Sequence, residues 1–134
     1  SVETHARRWL WTLTRPEPGD VTLAAEAPDR LIGYVSGGAS RRKRAGEAEI
    51  HTLYILRRAQ GEGVGRALLQ GAARVLAAGG ARSLAISVLR DNPKARGFYA
   101  RMGGIAEAPR PERGPGGVMQ EVYYVWPDIA ALIG

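Results

Sequence analysis

The spacing of apolar residues changes several times along this chain, and each change predicts an element. Residues 4–13 carry Ala6, Trp9, Leu10 and Leu13 at helical spacing, which predicts a short amphipathic helix. Trp9 and Trp11 read as packing residues or as part of a substrate pocket. Pro16-Glu17-Pro18-Gly19-Asp20 ends the helix in a turn. Residues 21–26 and 31–36 read as strands around the turn Ala27-Pro28-Asp29-Arg30, a hairpin. Residues 37–46 are a polar, basic loop. Residues 47–56 form a third strand, with Glu47, Glu49, His51, Leu53 and Ile55 on one face and Ala48, Ile50, Thr52, Tyr54 and Leu56 on the other. From Val64 to Ala78 the period becomes helical, with Val64, Leu68, Leu69, Ala72, Val75 and Leu76 in one stripe and Gly79-Gly80 as the stop. Residues 83–89 read as a buried strand. Asn92 caps a further helix with Pro93 at its first position, and Ala95, Phe98, Tyr99 and Met102 line one face. A short strand at 105–108, a Pro/Gly loop at 109–117 and a last strand at 118–126 complete the pattern.

Composition narrows the class. The chain has 134 residues, enough for one domain with a core, and neither its 45% apolar nor its 24% charged content is unusual. Without cysteine there is no disulfide, thiolate metal site or thiol nucleophile, and two histidines argue against a metal site. No apolar run is long enough for a transmembrane helix and no signal peptide is visible, so a cytoplasmic protein is expected. The net charge of +6 suits an anionic ligand, either a phosphorylated cofactor or nucleic acid. The one dense basic run, Arg41-Arg42-Lys43-Arg44, has no interleaved aromatics, which disfavours a nucleic-acid interface.

The candidate chemistry centres on Gln60-Gly61-Glu62-Gly63-Val64-Gly65-Arg66, between a strand and a helix. Glycines let a ligand approach the backbone, and a helix start offers unpaired N–H groups, so this reads as an anion site of the phosphate-binding kind or as a plain strand–turn–helix with no ligand. A P-loop is excluded because no Lys-Ser or Lys-Thr pair follows. A dinucleotide fingerprint is excluded because Arg66 stands where its last glycine belongs, and the chain reads Arg82-Ser83-Leu84 where its acid belongs. The remaining pattern, Gln-x-x-Gly-x-Gly followed by Arg-Ala-Leu-Leu, resembles the pyrophosphate loop of the GNAT family of N-acetyltransferases. A second stretch, Asn92-x-x-Ala95-x-x-Phe98-Tyr99-x-x-x-Gly103, resembles that family's other motif and lies one strand further on. The resemblance extends from about residue 20 to the end.

The resemblance implies an α/β fold of the α+β type: a mixed, mostly antiparallel sheet with helices on both faces. The strand before the glycine turn and the strand from Ser83 should be parallel neighbours that splay at their C-terminal ends. Family members open with a strand and a helix that have no match here, so residues 1–134 read as one N-terminally incomplete domain. The implied cosubstrate is acetyl-CoA, with no metal. Backbone groups of Leu53, Tyr54 and Ile55 would pair with the pantetheine. Gln60, Gly61, Glu62, Gly63, Val64, Gly65 and Arg66 would hold the pyrophosphate, and Asn92 would also touch the cofactor. Tyr99 matches the general acid that protonates the sulfur, though it also reads as a core aromatic. Glu49 is the candidate base, with His51 or water as alternatives, and Glu47 and Glu49 also read as exposed strand charge. Some relatives carry a glutamate five residues before the asparagine, where this chain has Ser87. The implied activity is acetyl transfer to a primary amine of an unidentified small molecule or protein, by direct attack in a ternary complex. A non-catalytic acyl-CoA-binding domain and a basic nucleic-acid-binding module are the alternatives. The protein would act as a monomer or homodimer, away from membranes.

Overall fold

The computed structural model describes residues 10–15 and 17–133. Eight strands form one mixed sheet. In chain order they are β1 (Leu10–Thr14), β2 (Val21–Ala27), β3 (Arg30–Ala39), β4 (Glu47–Ile55), β5 (Ser83–Leu89), β6 (Ile105–Ala106), β7 (Arg110–Gly114) and β8 (Gly117–Trp126). The helices are α1 (Val64–Ala78), α2 (Pro93–Arg101) and the short α3 (Ala130–Ile133), with a single 3₁₀ turn at Arg57–Ala59. The strand order is β1-β2-β3-β4-β5-β8-β6, with β7 also on β8. Every pairing is antiparallel except β4 with β5.

The residues facing α1 make the core. Val21, Ala25, Val35, Ala48 and Ile50 lie over the first four strands, and Leu84, Ile86, Val122, Tyr124 and Trp126 continue it over the last ones. The α1 stripe fills it as the sequence predicts, with Val64, Leu68, Leu69, Ala72 and Leu76 buried. Helix α2 is on the same side: Tyr99 packs edge-on to Trp126, and a Cβ at Gly65 of α1 would sit 3.3 Å from the Phe98 ring. Among the described residues, then, the helices share one face rather than two. Gly80, at φ 108, ends α1 by letting the Ala81 N–H reach the Leu76 carbonyl at 3.0 Å.

Several expected elements differ. The helix expected at residues 4–13 is not formed by its second half, because Leu10–Thr14 is strand β1, paired along its length with β2 from Leu10↔Glu26 to Thr14↔Thr22. Residues 4–9, including Trp9, and Pro16 lie outside the described residues. The spacing of Leu10 and Leu13 imitated a helix, but both side chains are exposed, and Trp11 packs on the core. A strand therefore stands before β2, and no helix does among the described residues. Strand β3 runs on to Ala39, three residues into the expected loop. The expected loop at 109–117 contains β7, whose Pro111 is tolerated because β7 bonds only to β8 and leaves its other edge free.

The most consequential difference is in β4. Gly37 pairs with Ile50 but Ser36 pairs with Thr52, so His51 is an extra residue, a β-bulge. Strict alternation fails there. Leu53 and Ile55 join Ala48 and Ile50 on the core side, while Glu47 and Glu49 share the opposite face with Thr52 and Tyr54. A bulge bends and twists its strand, and the parallel pairing of β4 with β5 ends at Ile50↔Ile86, directly before it. The two strands part from His51 onward, as expected for the splay.

Candidate active site

The parted strands have a glycine turn and helix starts on the core side and a group of carboxylates on the other. On the core side, β4 leads through the 3₁₀ turn into Gln60–Arg66. Gly61 and Gly63 have φ of 83 and 84, left-handed values that a residue with a Cβ adopts at a cost of about 1–2 kcal/mol. Gly63 is the N-cap of α1 and supplies no side-chain cap, so the first N–H groups of the helix are left for another acceptor. Gln60 ties the turn together: its amide N–H donates to the Ile55 carbonyl at 3.3 Å, and its amide oxygen accepts from the Lys94 ammonium. Lys94 therefore adds a positive charge beside the turn. Val64 is buried and Gly65 sits against Phe98, so their contribution is the backbone.

Asn92 caps α2 as expected, its Oδ1 accepting from the Ala95 N–H at 3.2 Å. Tyr99 is 7% exposed, its ring among Phe98, Tyr124 and Trp126 at centroid distances of 5.5–6.4 Å. No described residue hydrogen-bonds its hydroxyl. Burial pushes its phenol up to about 12. The ring is part of the core.

Glu49 and His51 lie at the parting itself. They line a cavity of about 230 Å³ together with Arg41, Ser87, Glu112 and Glu121. Tyr99 is not among its lining residues; it approaches from the helix side of the sheet. Glu49 is not exposed strand charge. It is 1% exposed, and its Oε1 accepts from the Arg41 backbone N–H at 2.8 Å while Oε2 accepts from the Tyr123 hydroxyl at 3.3 Å. Burial, then the charges of Glu49 and Glu121, raise the Tyr123 phenol to about 12, so it remains a donor. His51 has its Nε2 3.1 Å from the Ala39 carbonyl. Glu47 is a structural acid: it accepts from Arg42 at 2.6 Å and from the Ser40 hydroxyl at 2.6 Å. Arg42 also reaches Glu107 at 2.6 Å and lies over the Tyr123 ring at 4.2 Å, so it clamps the β3–β4 loop down on the sheet. The basic run Arg41–Arg44 is thus largely turned onto carboxylates: Arg41 on Glu49, and Arg42 and Arg44 on Glu107.

The sequence did not single out Glu121. It lies on β8, 8% exposed, and accepts from the Ser87 hydroxyl at 2.6 Å. Ser87 lies on β5, and a carboxylate reaches it from the neighbouring strand. Alternation along β8 puts Glu121 and Tyr123 on one face, but nothing in the sequence pairs β8 with β5.

Comparison with known proteins gives the class. The model of the acetyltransferase (GNAT) family matches residues 2–104. The chain belongs to that family. A curated relative from Archaeoglobus fulgidus, described as an uncharacterized N-acetyltransferase, is 31% identical over 112 residues, covering 80% of this chain and 71% of the relative. Nourseothricin acetyltransferase has the same fold at a TM-score of 0.73 and 22% identity, over 90% of this chain and 85% of its own. NAA60 of Arabidopsis thaliana, solved in complex with acetyl-CoA, does so at a TM-score of 0.69 and 20% identity, over 82% of this chain and 77% of its own. Among the described residues, no helix is long and apolar enough to cross a membrane.

Proposed function

We propose that this chain transfers the acetyl group of acetyl-CoA to a primary amine by direct attack in a ternary complex. The observation that carries the reading is the parting of β4 and β5 at the His51 bulge, with an anion cradle on one side and a buried carboxylate on the other. The residues present fit acetyl-CoA. Left-handed Gly61 and Gly63 open the backbone at an uncapped helix start, a cradle suited to a pyrophosphate. Glu62, Val64, Gly65 and Arg66 continue it. Leu53, Tyr54 and Ile55 have β3 on one side and no β5 partner on the other, which leaves backbone groups for the amides of a pantetheine arm. Asn92, at the start of α2, flanks the same region.

When bound, acetyl-CoA supplies an acetyl thioester, and the protein's task is to position it and move protons. Tyr99, protonated at neutral pH, donates its hydroxyl proton to the departing sulfur. Glu49 accepts a proton from the attacking nitrogen, directly or through water. Arg41 and Tyr123 orient its two oxygens. The acceptor amine reaches the cleft from the face opposite α1 and α2, where Glu49 and His51 lie.

The test is thiol release from acetyl-CoA in the presence of a panel of primary amines. Amine-dependent release supports the reading. Binding of acetyl-CoA with no release above its spontaneous hydrolysis would reduce the protein to an acyl-CoA-binding domain.

A further inference from the structure

Between its ammonium form and the amide product, the acceptor nitrogen loses two protons, and the mechanism above gives a carboxylate to one of them. We propose that Glu121, held by Ser87, is the second proton acceptor: it receives the acceptor's ammonium group and takes its first proton. This rests on the acetyl-transfer reading.

Position supports it first. Glu121 pairs with Leu89, at the end of β5 and beyond the last residue that β5 shares with β4, so it stands at the mouth of the parting. It is on the same face as Tyr123, and through Tyr123 beside Glu49. The second support is how each carboxylate is held. Both oxygens of Glu49 accept from protein donors, and Glu49 is 1% exposed. Glu121 accepts from Ser87 at 2.6 Å and is also hydrogen-bonded to Glu112, and the side chain lines both the 230 Å³ cavity and an adjoining one of about 400 Å³. The groups that line these two cavities with it are Ser87 from β5, Arg110 and Glu112 from β7, Tyr123 from β8, Glu49 and His51 from β4, and Arg41, Arg42 and Arg44 from the β3–β4 loop. Burial works against its charge, but the hydrogen bonds from Glu112 and Ser87 and the charges of Arg110 and Arg41 outweigh it, holding Glu121 below its ordinary value. Glu112 is pushed up by its hydrogen bond with Glu121 and by that charge. Glu121 is therefore an anion at the mouth of the parting, where an incoming ammonium competes with these arginines for it.

The balance closes. The ammonium gives one proton to Glu121 and becomes the neutral amine. The nitrogen lone pair forms the C–N bond, the C–S bond breaks, and its electron pair stays on sulfur. The second nitrogen proton leaves through Glu49 and replaces the one that Tyr99 gives to sulfur. Glu121 returns its proton to solvent, so one proton is released per turnover.

The experiment compares two nucleophiles with wild type and Glu121→Gln. n-Butylamine is an alkylamine with a pKa of about 10 and is almost wholly ammonium at about pH 7. Hydroxylamine is largely neutral there and brings no ammonium proton to remove. Glu121→Gln should lower n-butylamine-dependent thiol release by roughly 10²-fold more than hydroxylamine-dependent release. Its n-butylamine rate should also recover as pH rises toward the pKa of the amine. Equal losses with both nucleophiles in a folded variant would overturn the proposal and leave Glu121 a structural residue. Equal retention would overturn it in favour of Glu49 alone. No release by wild type above the enzyme-free rate with either nucleophile or with any amine of the panel would instead remove the acetyl-transfer reading, and this proposal with it.

Discussion

Replacing Tyr99 by phenylalanine separates a catalytic hydroxyl from a core ring. The ring contacts with Phe98, Tyr124 and Trp126 survive the change, and the hydroxyl has no hydrogen-bond partner among the described residues. Stability should therefore move by no more than about 1 kcal/mol. For a domain of this length that is a Tm shift of about 4 °C. If Tyr99 protonates the sulfur, kcat should fall by roughly 10²–10⁴-fold, equivalent to about 3–5 kcal/mol of barrier. Because its phenol lies at about 12, Tyr99 is protonated across the neutral and mildly alkaline range, and wild-type turnover should show no loss from its ionisation below about pH 11. The assay is single-turnover thiol release from bound acetyl-CoA at saturating amine, with Tm measured on the same samples. A folded variant that releases thiol at the wild-type rate would refute the assignment and leave the proton to come from water.

Acetyl-CoA should raise the Tm of the wild type by binding only its folded form. Gly63→Asp should abolish that rise, because it sets a carboxylate at the helix start. Its left-handed strain of about 1–2 kcal/mol far exceeds the few tenths by which an Asp cap improves on glycine. A full ligand-induced shift in this variant would place the pyrophosphate elsewhere. Arg42→Ala removes a guanidinium 5% exposed and strands Glu47, 4% exposed. It should cost roughly 3–5 kcal/mol, seen as a Tm lower by about 10–20 °C; a change of only a few degrees would show that the β3–β4 loop is held by other contacts. Glu47 also makes stability pH-dependent. Burial alone would raise it, but its hydrogen bonds from Arg42 and Ser40 and the charges of Arg42 and Arg44 hold it below the ordinary 4.5. Its contribution is complete above 4.5 and is lost as pH falls through the lowered folded-state value. Wild-type Tm should fall on acidification below about pH 4.5, and Arg42→Ala should flatten that part of the curve.

What the sequence alone determined was local. The α1 stripe, the Asn92 cap with Pro93 behind it and the glycine turn each depend on residues within a few positions of one another, and all appear as read. The parallel pair and its splay followed from the family motifs. Tertiary structure decided the rest. Leu10 and Leu13 have helical spacing, but pairing with β2 makes their segment a strand. β7 was hidden by its proline because an edge strand can spare an N–H and a central one cannot. The His51 bulge was invisible to a period-2 reading, since an extra residue shows only in the partner's register. It reversed the faces of Leu53 and Ile55 relative to Glu49 and ended the pairing of β4 with β5. The acid side of the cleft is non-local throughout. Glu49 finds Tyr123 across 74 residues and Ser87 finds Glu121 across 34, because β8 returns to lie beside β5. A charge that alternation alone left on an open strand is thereby buried at the point where the sheet divides.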